Sequence, residues 1–266
     1  MLKDITIGQY FPGKSALHKL DPRMKIVLTL AYVVLLFAAN NIWGLLVGVV
    51  FLIIAYGISR IPPKMILKSL KPVVPIIIFT AILNMFFIEG ESIFKWWIIN
   101  ITREGVSTAV LMAVRIICLI AGTSLLTYTT SPIALTDGIE RLMSPLKKLR
   151  FPVHELAMMM TIALRFIPTL IEETEKIMSA QKARGADMES GGLIQRAKAL
   201  IPILIPLFVS AFRRADELAL AMECRCYRGG DGRTRMKQLK MQAVDFVSAA
   251  FVALCIAGVI VINILL

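Results

Sequence analysis

The sequence predicts an all-α, polytopic integral membrane protein with about five transmembrane helices and a cytoplasmic domain of long helices. Three observations predict it. The chain of 266 residues is 57% apolar with a mean hydropathy of +0.74, well above a soluble domain of this size. Its apolar residues fall in runs long enough to cross a bilayer, which takes roughly 20 residues and about 17 at the short end. Its 30 Lys and Arg, against 18 Asp and Glu, are segregated from those runs, and 18 of the 30 lie in residues 129–240. The basic excess follows from the tendency of cytoplasmic loops to collect Lys and Arg. No basic stretch is interleaved with aromatics, so nucleic acid is not expected as a partner.

The N-terminal stretch MLKDITIGQYFPGKS is polar, and no cleavable signal peptide is expected in it. Residues 26–58 are apolar almost throughout, broken only by Asn40 and Asn41. At 1.5 Å per residue this run is too long for one crossing, so two short helices turning at the asparagines are expected. A third span is read at 73–88, opened by Pro72 and Pro75, a fourth at 106–128 and a last at 246–266. Lys3, Lys14, Lys19, Arg23 and Lys25 precede the first span, and Arg60, Lys64, Lys68 and Lys71 follow the second. The first connection has no cation, and residues 89–105 carry only Lys95 and Arg103 against three glutamates. This asymmetry predicts a cytoplasmic N-terminus and an external C-terminus. The expected division is 1–128 (N-terminal segment and four spans), 129–240 (cytoplasmic helices) and 241–266 (last span).

Within 129–240, Ser131-Pro132 opens a short amphipathic helix with Ile133, Leu135, Ile139, Leu142 and Met143 on its apolar side. A longer helix follows over 153–184. Its first half (LAMMMTIALRFI) is apolar nearly all round, which suits burial or contact with the membrane. Its second half (EETEKIMSAQKAR) is polar, with Glu172 and Lys176 in the favourable i,i+4 order. Gly185 suits the helix end, where a left-handed residue is wanted. The plan then repeats: LIQRAKALIPILIPLFVSAF is apolar and RRADELALAMECRCYRGG is polar, with Pro202 and Pro206 expected to kink the helix. Residues 193–209 have the apolarity of a sixth span. However, Arg196, Lys198 and two prolines flank or interrupt them, and a sixth crossing would place the basic GRTRMKQLK outside.

Several chemical motifs are weak on inspection. Gly8–Ser15 (GQYFPGKS) fits the G-x-x-x-x-G-K-[ST] pattern of a phosphate-binding loop. Tyr10, Phe11 and Pro12 fill the turn, Pro12 lacks the N–H such a cradle uses, and Asp21-Pro22 interrupts the following helix. No catalytic residue, metal ligand or bound cofactor is expected. His18 and His154 have no Cys or carboxylate at ligand spacing, and Cys118, Cys224, Cys226 and Cys255 are scattered between spans and cytoplasmic helices. Arg115 falls near the middle of the fourth span, where a charge usually faces protein or a cavity.

The pattern that remains is a pair of arginines, each among small residues at the end of a long helix. These are Ala183-Arg184-Gly185 and Cys224-Arg225-Cys226, the latter followed by Arg228. A cation that offsets the helix macrodipole is the simpler reading of each. The small flanks add something more, because they let the helix end approach a partner while one guanidinium reaches a carboxylate with two hydrogen bonds.

With GQYFPGKSALHKLDPRMK, ALRFIPTLIEETEKIMSAQKARGAD and AMECRCYRGGDGRTR, the chain resembles the transmembrane T component of energy-coupling factor (ECF) transporters, ABC-type vitamin importers of prokaryotes. The resemblance covers essentially the whole chain. The family's motif is X-Arg-Gly; the first copy fits, whereas Cys226 stands at the Gly position of the second. The resemblance implies a non-catalytic scaffold in the prokaryotic plasma membrane. Two ATPase subunits, holding ATP and Mg, would dock at Arg184 and Arg225 with their neighbours, and Arg228 and Arg115 would support docking or the bundle. A membrane S component would bind the vitamin and be reoriented. The same fold serves dedicated cobalt or nickel importers, which is the alternative reading.

Overall fold

A computed structural model describes residues 10–39, 41–88, 92–96, 99–186, 192–230 and 239–265. The chain divides into two compact units, one drawn from Gly8–Gly138 and Gln238–Leu266, the other from Ile139–Lys237. The first unit holds α1 (Ala16–Lys19), α2 (Pro22–Ala38), α3 (Ile42–Ser59), α4 (Pro63–Leu70), α5 (Val74–Phe87), α6 (Arg103–Thr129) and α10 (Ala243–Leu265). The second holds α8 (Val153–Ala183) and α9 (Leu193–Cys224), and α7 (Pro132–Met143) straddles the division.

The expected break between two helices is there, with α2 ending at Ala38 and α3 starting after Asn41; Asn40 lies outside the described residues. The third span starts earlier than expected. Pro62 and Pro63 open α4, a single 3-10 turn at Lys71–Val73 follows, and α5 carries on to Phe87. Read together, Pro63–Phe87 is one of five helices among the described residues long and apolar enough to cross a membrane, with α3, α6, α8 and α10. Membership of that set differs from the sequence reading. The α2 helix, at 17 residues, is at the short limit. The α8 helix enters it through its apolar first half, and α9, which contains residues 193–209, does not. Among the described residues the only strands are β1 (Ser92–Trp96) and β2 (Ile99–Thr102), an antiparallel hairpin between α5 and α6.

Tyr32, Leu35, Leu36, Leu45, Cys118 and Val259 pack as the main buried cluster of the bundle, with Tyr56, Ala121 and Tyr128 in a second. A buried phenol needs an acceptor, and each tyrosine finds a helix carbonyl on a neighbour. Tyr32 Oη donates to Gly48 O at 3.2 Å, Tyr56 Oη to Ala121 O at 2.7 Å and Tyr128 Oη to Met65 O at 3.0 Å. Gly122 lies against the Tyr32 ring, where a side chain would overlap it.

Polar contacts fix the helix directions. At one end of α2, the Asp245 carboxylate accepts the Asp21 N–H at 2.8 Å. At the other end, Asn263 Nδ2 donates to Ala38 O at 2.5 Å. Both contacts advance together along the chain, so α2 and α10 run parallel. The α6 helix runs the other way: Lys25 Nζ reaches Thr129 O at 2.8 Å, and Arg115 Nη2 reaches Ala39 O at 2.6 Å. Thr129, where α6 ends, and Asp245, near the start of α10, therefore lie at the same end of the bundle. The intervening chain leaves and returns at one face of the membrane, so it crosses an even number of times or not at all. A lone sixth span at 193–209 is incompatible with that parity.

Two helix ends with matching arginine caps

The second unit is built on α8 and α9, which pack antiparallel. Pro206 has no N–H, so the carbonyl of Pro202, one turn back, loses its helical partner. Gln181 Nε2 of α8 donates to that carbonyl at 3.3 Å. Further along, Glu173 accepts from the Ser210 hydroxyl and from Arg214 Nη2, the latter at 2.8 Å. The Ser210 hydroxyl, and after it the Arg214 guanidinium, hold the Glu173 carboxyl below its ordinary range. Nearer the start of α8, His154 Nδ1 lies 3.2 Å from Glu140 Oε1, and its ring packs against Gly230, just past the end of α9.

The end of α8 is a Schellman cap. Arg184 is the capping residue at φ −85°, and Gly185 follows in the left-handed region at φ +84°. Gly185 N–H donates to Lys182 O at 3.0 Å, and Ala186 N–H donates to Gln181 O at 3.0 Å. The end of α9 repeats this bond for bond. Arg225 caps at φ −91°, and Cys226 follows at φ 55°. Cys226 N–H donates to Glu223 O at 2.8 Å, and Tyr227 N–H donates to Met222 O at 3.1 Å. Both arginines thus occupy the same position of the same motif, in which the last carbonyls are satisfied by the turn itself. Ala183, Arg184 and Gly185 are exposed, as are Cys224, Arg225, Cys226 and Arg228. Neither Arg184 nor Arg225 has a side-chain partner among the described residues.

The antiparallel pairing sends these ends apart. Arg184 lies one turn beyond Gln181, which is level with Pro202, and Arg225 lies 23 residues further along α9. With the turn from Gln181 to Arg184 added in the opposite direction, 1.5 Å per residue separates the two tips by roughly 40 Å. Arg115 belongs to neither tip. It caps the end of α2 inside the bundle through Ala39 O.

The loop-like motif near the N-terminus folds differently from a phosphate cradle; its Gly8 lies outside the described residues. Tyr10–Lys14 is irregular, and the helix after it, α1, has only four residues. His18 organises it: Phe11 O accepts from Nε2 at 3.0 Å, which leaves Nδ1 to accept from Ser15 Oγ at 2.7 Å. Gly13 rests on the same ring. The sequence reading also missed the buried knot at the start of α2. Asp21 caps the helix through Arg23 N–H at 3.0 Å, and Asp245 holds Asp21 N–H and Gln242 N–H at 2.8 and 2.6 Å. The Asp-Pro start signal was visible at residue 21, but the partner 224 positions away was not.

Comparison with known proteins covers most of the chain. The family described as cobalt transport protein, CbiQ, matches residues 13–236. A protein of Clostridium kluyveri named energy-coupling factor transporter transmembrane protein EcfT is 59% identical over 261 residues, 97% of each chain. Proteins of the same name in Ruminiclostridium cellulolyticum and Lactococcus lactis subsp. cremoris are 58% and 45% identical, over 92% and 100% of this chain and 92% and 97% of theirs.

Proposed function

The chain belongs to the CbiQ family, together with the EcfT transmembrane proteins of energy-coupling factor transporters, and on that premise we propose how it couples. It is a multi-pass transmembrane component of such a transporter. In our reading its two arginine-capped tips dock two ATPase subunits, one each, in the cytoplasm. ATP and Mg belong to those subunits, and this chain performs no chemistry. The α8 and α9 helices link the ATPases to a membrane S component that carries the vitamin. N-terminus inside and C-terminus outside is the orientation the Lys and Arg asymmetry supports.

The observation that carries this reading is the repeated cap. Two exposed guanidinium groups in the same Schellman position, without a side-chain partner among the described residues and roughly 40 Å apart, suit two equivalent grooves better than one. Loss of one member of a desolvated charged pair costs about 2–5 kcal/mol, and about 2.8 kcal/mol is a hundredfold in affinity. A cation that only offsets a helix dipole contributes roughly 0.3–1 kcal/mol and selects no partner. Arg184→Ala and Arg225→Ala are therefore expected to weaken capture of an ATPase about a hundredfold each, and the double variant to release both. Lysine at either position should rescue only in part, because the charge survives and the bidentate geometry does not. The measurement is co-purification of both ATPases with each variant, alongside vitamin uptake. A double variant that keeps both ATPases and full uptake would refute the docking role.

The description of the matching family as cobalt transport proteins favours one alternative, a dedicated cobalt or nickel importer. Uptake of labelled Co²⁺ or Ni²⁺ against labelled vitamins, with identification of every co-purifying subunit, separates the two.

A further inference from the structure

Two cavities of the bundle lie side by side at its basic end. The first is an apolar groove of about 320 Å³ between α2, α3, α6 and α10, with Leu28, Phe51, Leu125 and Val247 in its walls. The second, of about 620 Å³, is lined by Phe11, Gly13, Lys14, Ser15 and Arg60. Ala16 and Ile58 line both, so the two cavities are neighbours. Lys25 also borders the groove, but its ammonium is spent on Thr129 O at 2.8 Å and His18 O at 3.3 Å. Lys14 and Arg60 are exposed and have no side-chain partner among the described residues. Arg60 ends α3 in the left-handed region at φ 57°, a conformation unfavourable for a side-chain-bearing residue.

We infer that these adjoining cavities hold one anionic phospholipid between them, with its phosphate between Lys14 and Arg60 and an acyl chain in the groove. Three of its walls, α3, α6 and α10, are helices long and apolar enough to cross a membrane, so lipid is the solvent against which it lies. Its mouth is at the end where α2 and α10 begin and α3 and α6 finish. Lys64, Lys68 and Lys71 are exposed near that end too. Basic pockets between spans at such an end are the usual site for anionic headgroups. The inference rests on the membrane reading alone and is independent of ATPase docking.

Native mass spectrometry of the full-length chain tests it, in detergent supplied with phosphatidylglycerol, phosphatidylcholine or inorganic phosphate. One phosphatidylglycerol is expected to stay bound in preference to phosphatidylcholine. Each cation near a membrane surface contributes about a fivefold preference, so Lys14→Gln and Arg60→Gly should each lose about fivefold and the pair about 25-fold. Arg60→Gly relieves a left-handed residue, so an unchanged or raised Tm will mark its loss of lipid as local. Ala16→Phe, at the junction, should exclude the lipid while keeping both cations. Equal retention of the two lipids, or retention unaffected by the double variant, would overturn the inference. Displacement by millimolar phosphate would make this a free-phosphate pocket instead. Release of lipid as partner subunits assemble on the chain would make it a partner's groove, and either result refutes the proposal.

Discussion

Arg184 and Arg225 look alike in sequence only loosely, since one is followed by glycine and the other by cysteine. The structure shows why both work as helix ends: the turn needs a left-handed residue after each arginine, and Gly185 and Cys226 both supply it. Glycine adopts this at no steric cost, whereas a side chain adds about 1–2 kcal/mol. Cys226→Gly is therefore expected to stabilise the end of α9 by about 1 kcal/mol and raise the thermal midpoint. Gly185→Ala should lower it by a similar amount, although open space surrounds the new methyl group, because the backbone alone sets the cost. Thermal unfolding of both variants in detergent checks the pair, and a neutral Gly185→Ala would refute the strained-cap account. The departure at Cys226 thus concerns conformational cost at that tip, with the capping hydrogen bonds intact.

Among the elements, those with a strong period or a clear punctuation mark were legible. The break between α2 and α3, the start of α7 at Pro132 and the end of α8 at Gly185 stand where the sequence put them. The early start of the third span was missed because Lys64, Lys68 and Lys71 interrupt its apolarity, although a short amphipathic lead-in tolerates them. Contacts such as Glu173 with Ser210 and Arg214 were invisible, since no local rule pairs residues about forty positions apart. That pair makes a pH prediction. The Glu173 carboxyl is held below its ordinary value, so its contribution to α8–α9 packing is full above the unfolded glutamate pKa. It is lost as pH falls through the lowered folded value. The difference in thermal midpoint between wild type and Glu173→Gln should vanish on acidification through that window. Being partly exposed, the pair contributes no more than about 1 kcal/mol. The knot at α10 is stronger. Asp245 is buried and holds two backbone N–H groups, each costing about 1–3 kcal/mol if left unpaired. Asp245→Ala should destabilise the bundle by about 2–4 kcal/mol, read as a lower melting temperature and faster hydrogen exchange at the start of α2.

At the scale of the whole molecule, the parallel course of α2 and α10 sets the parity of the crossings. Which face carries the inserted helices still rests on charge, and the chain has its own probes for it. Cys224 and Cys226 are exposed, whereas Cys118 and Cys255 are buried. In cells expressing this chain without ATPases, a membrane-impermeant maleimide should leave the wild type unlabelled and should label it in inverted vesicles. Labelling of intact cells would reverse the topology. The antiparallel pairing of α8 and α9 has a mechanical meaning beyond docking. Their tips are the two ends of one strut, and bodies fixed to the ends of a strut cannot approach each other while it stays straight and level. It must tilt or bow. Pro168, Pro202 and Pro206 each delete a hydrogen bond inside the strut, so its flexural stiffness is lowest there. A squeeze applied at the two arginines would therefore emerge as sideways deflection at the prolines, at right angles to the force that caused it.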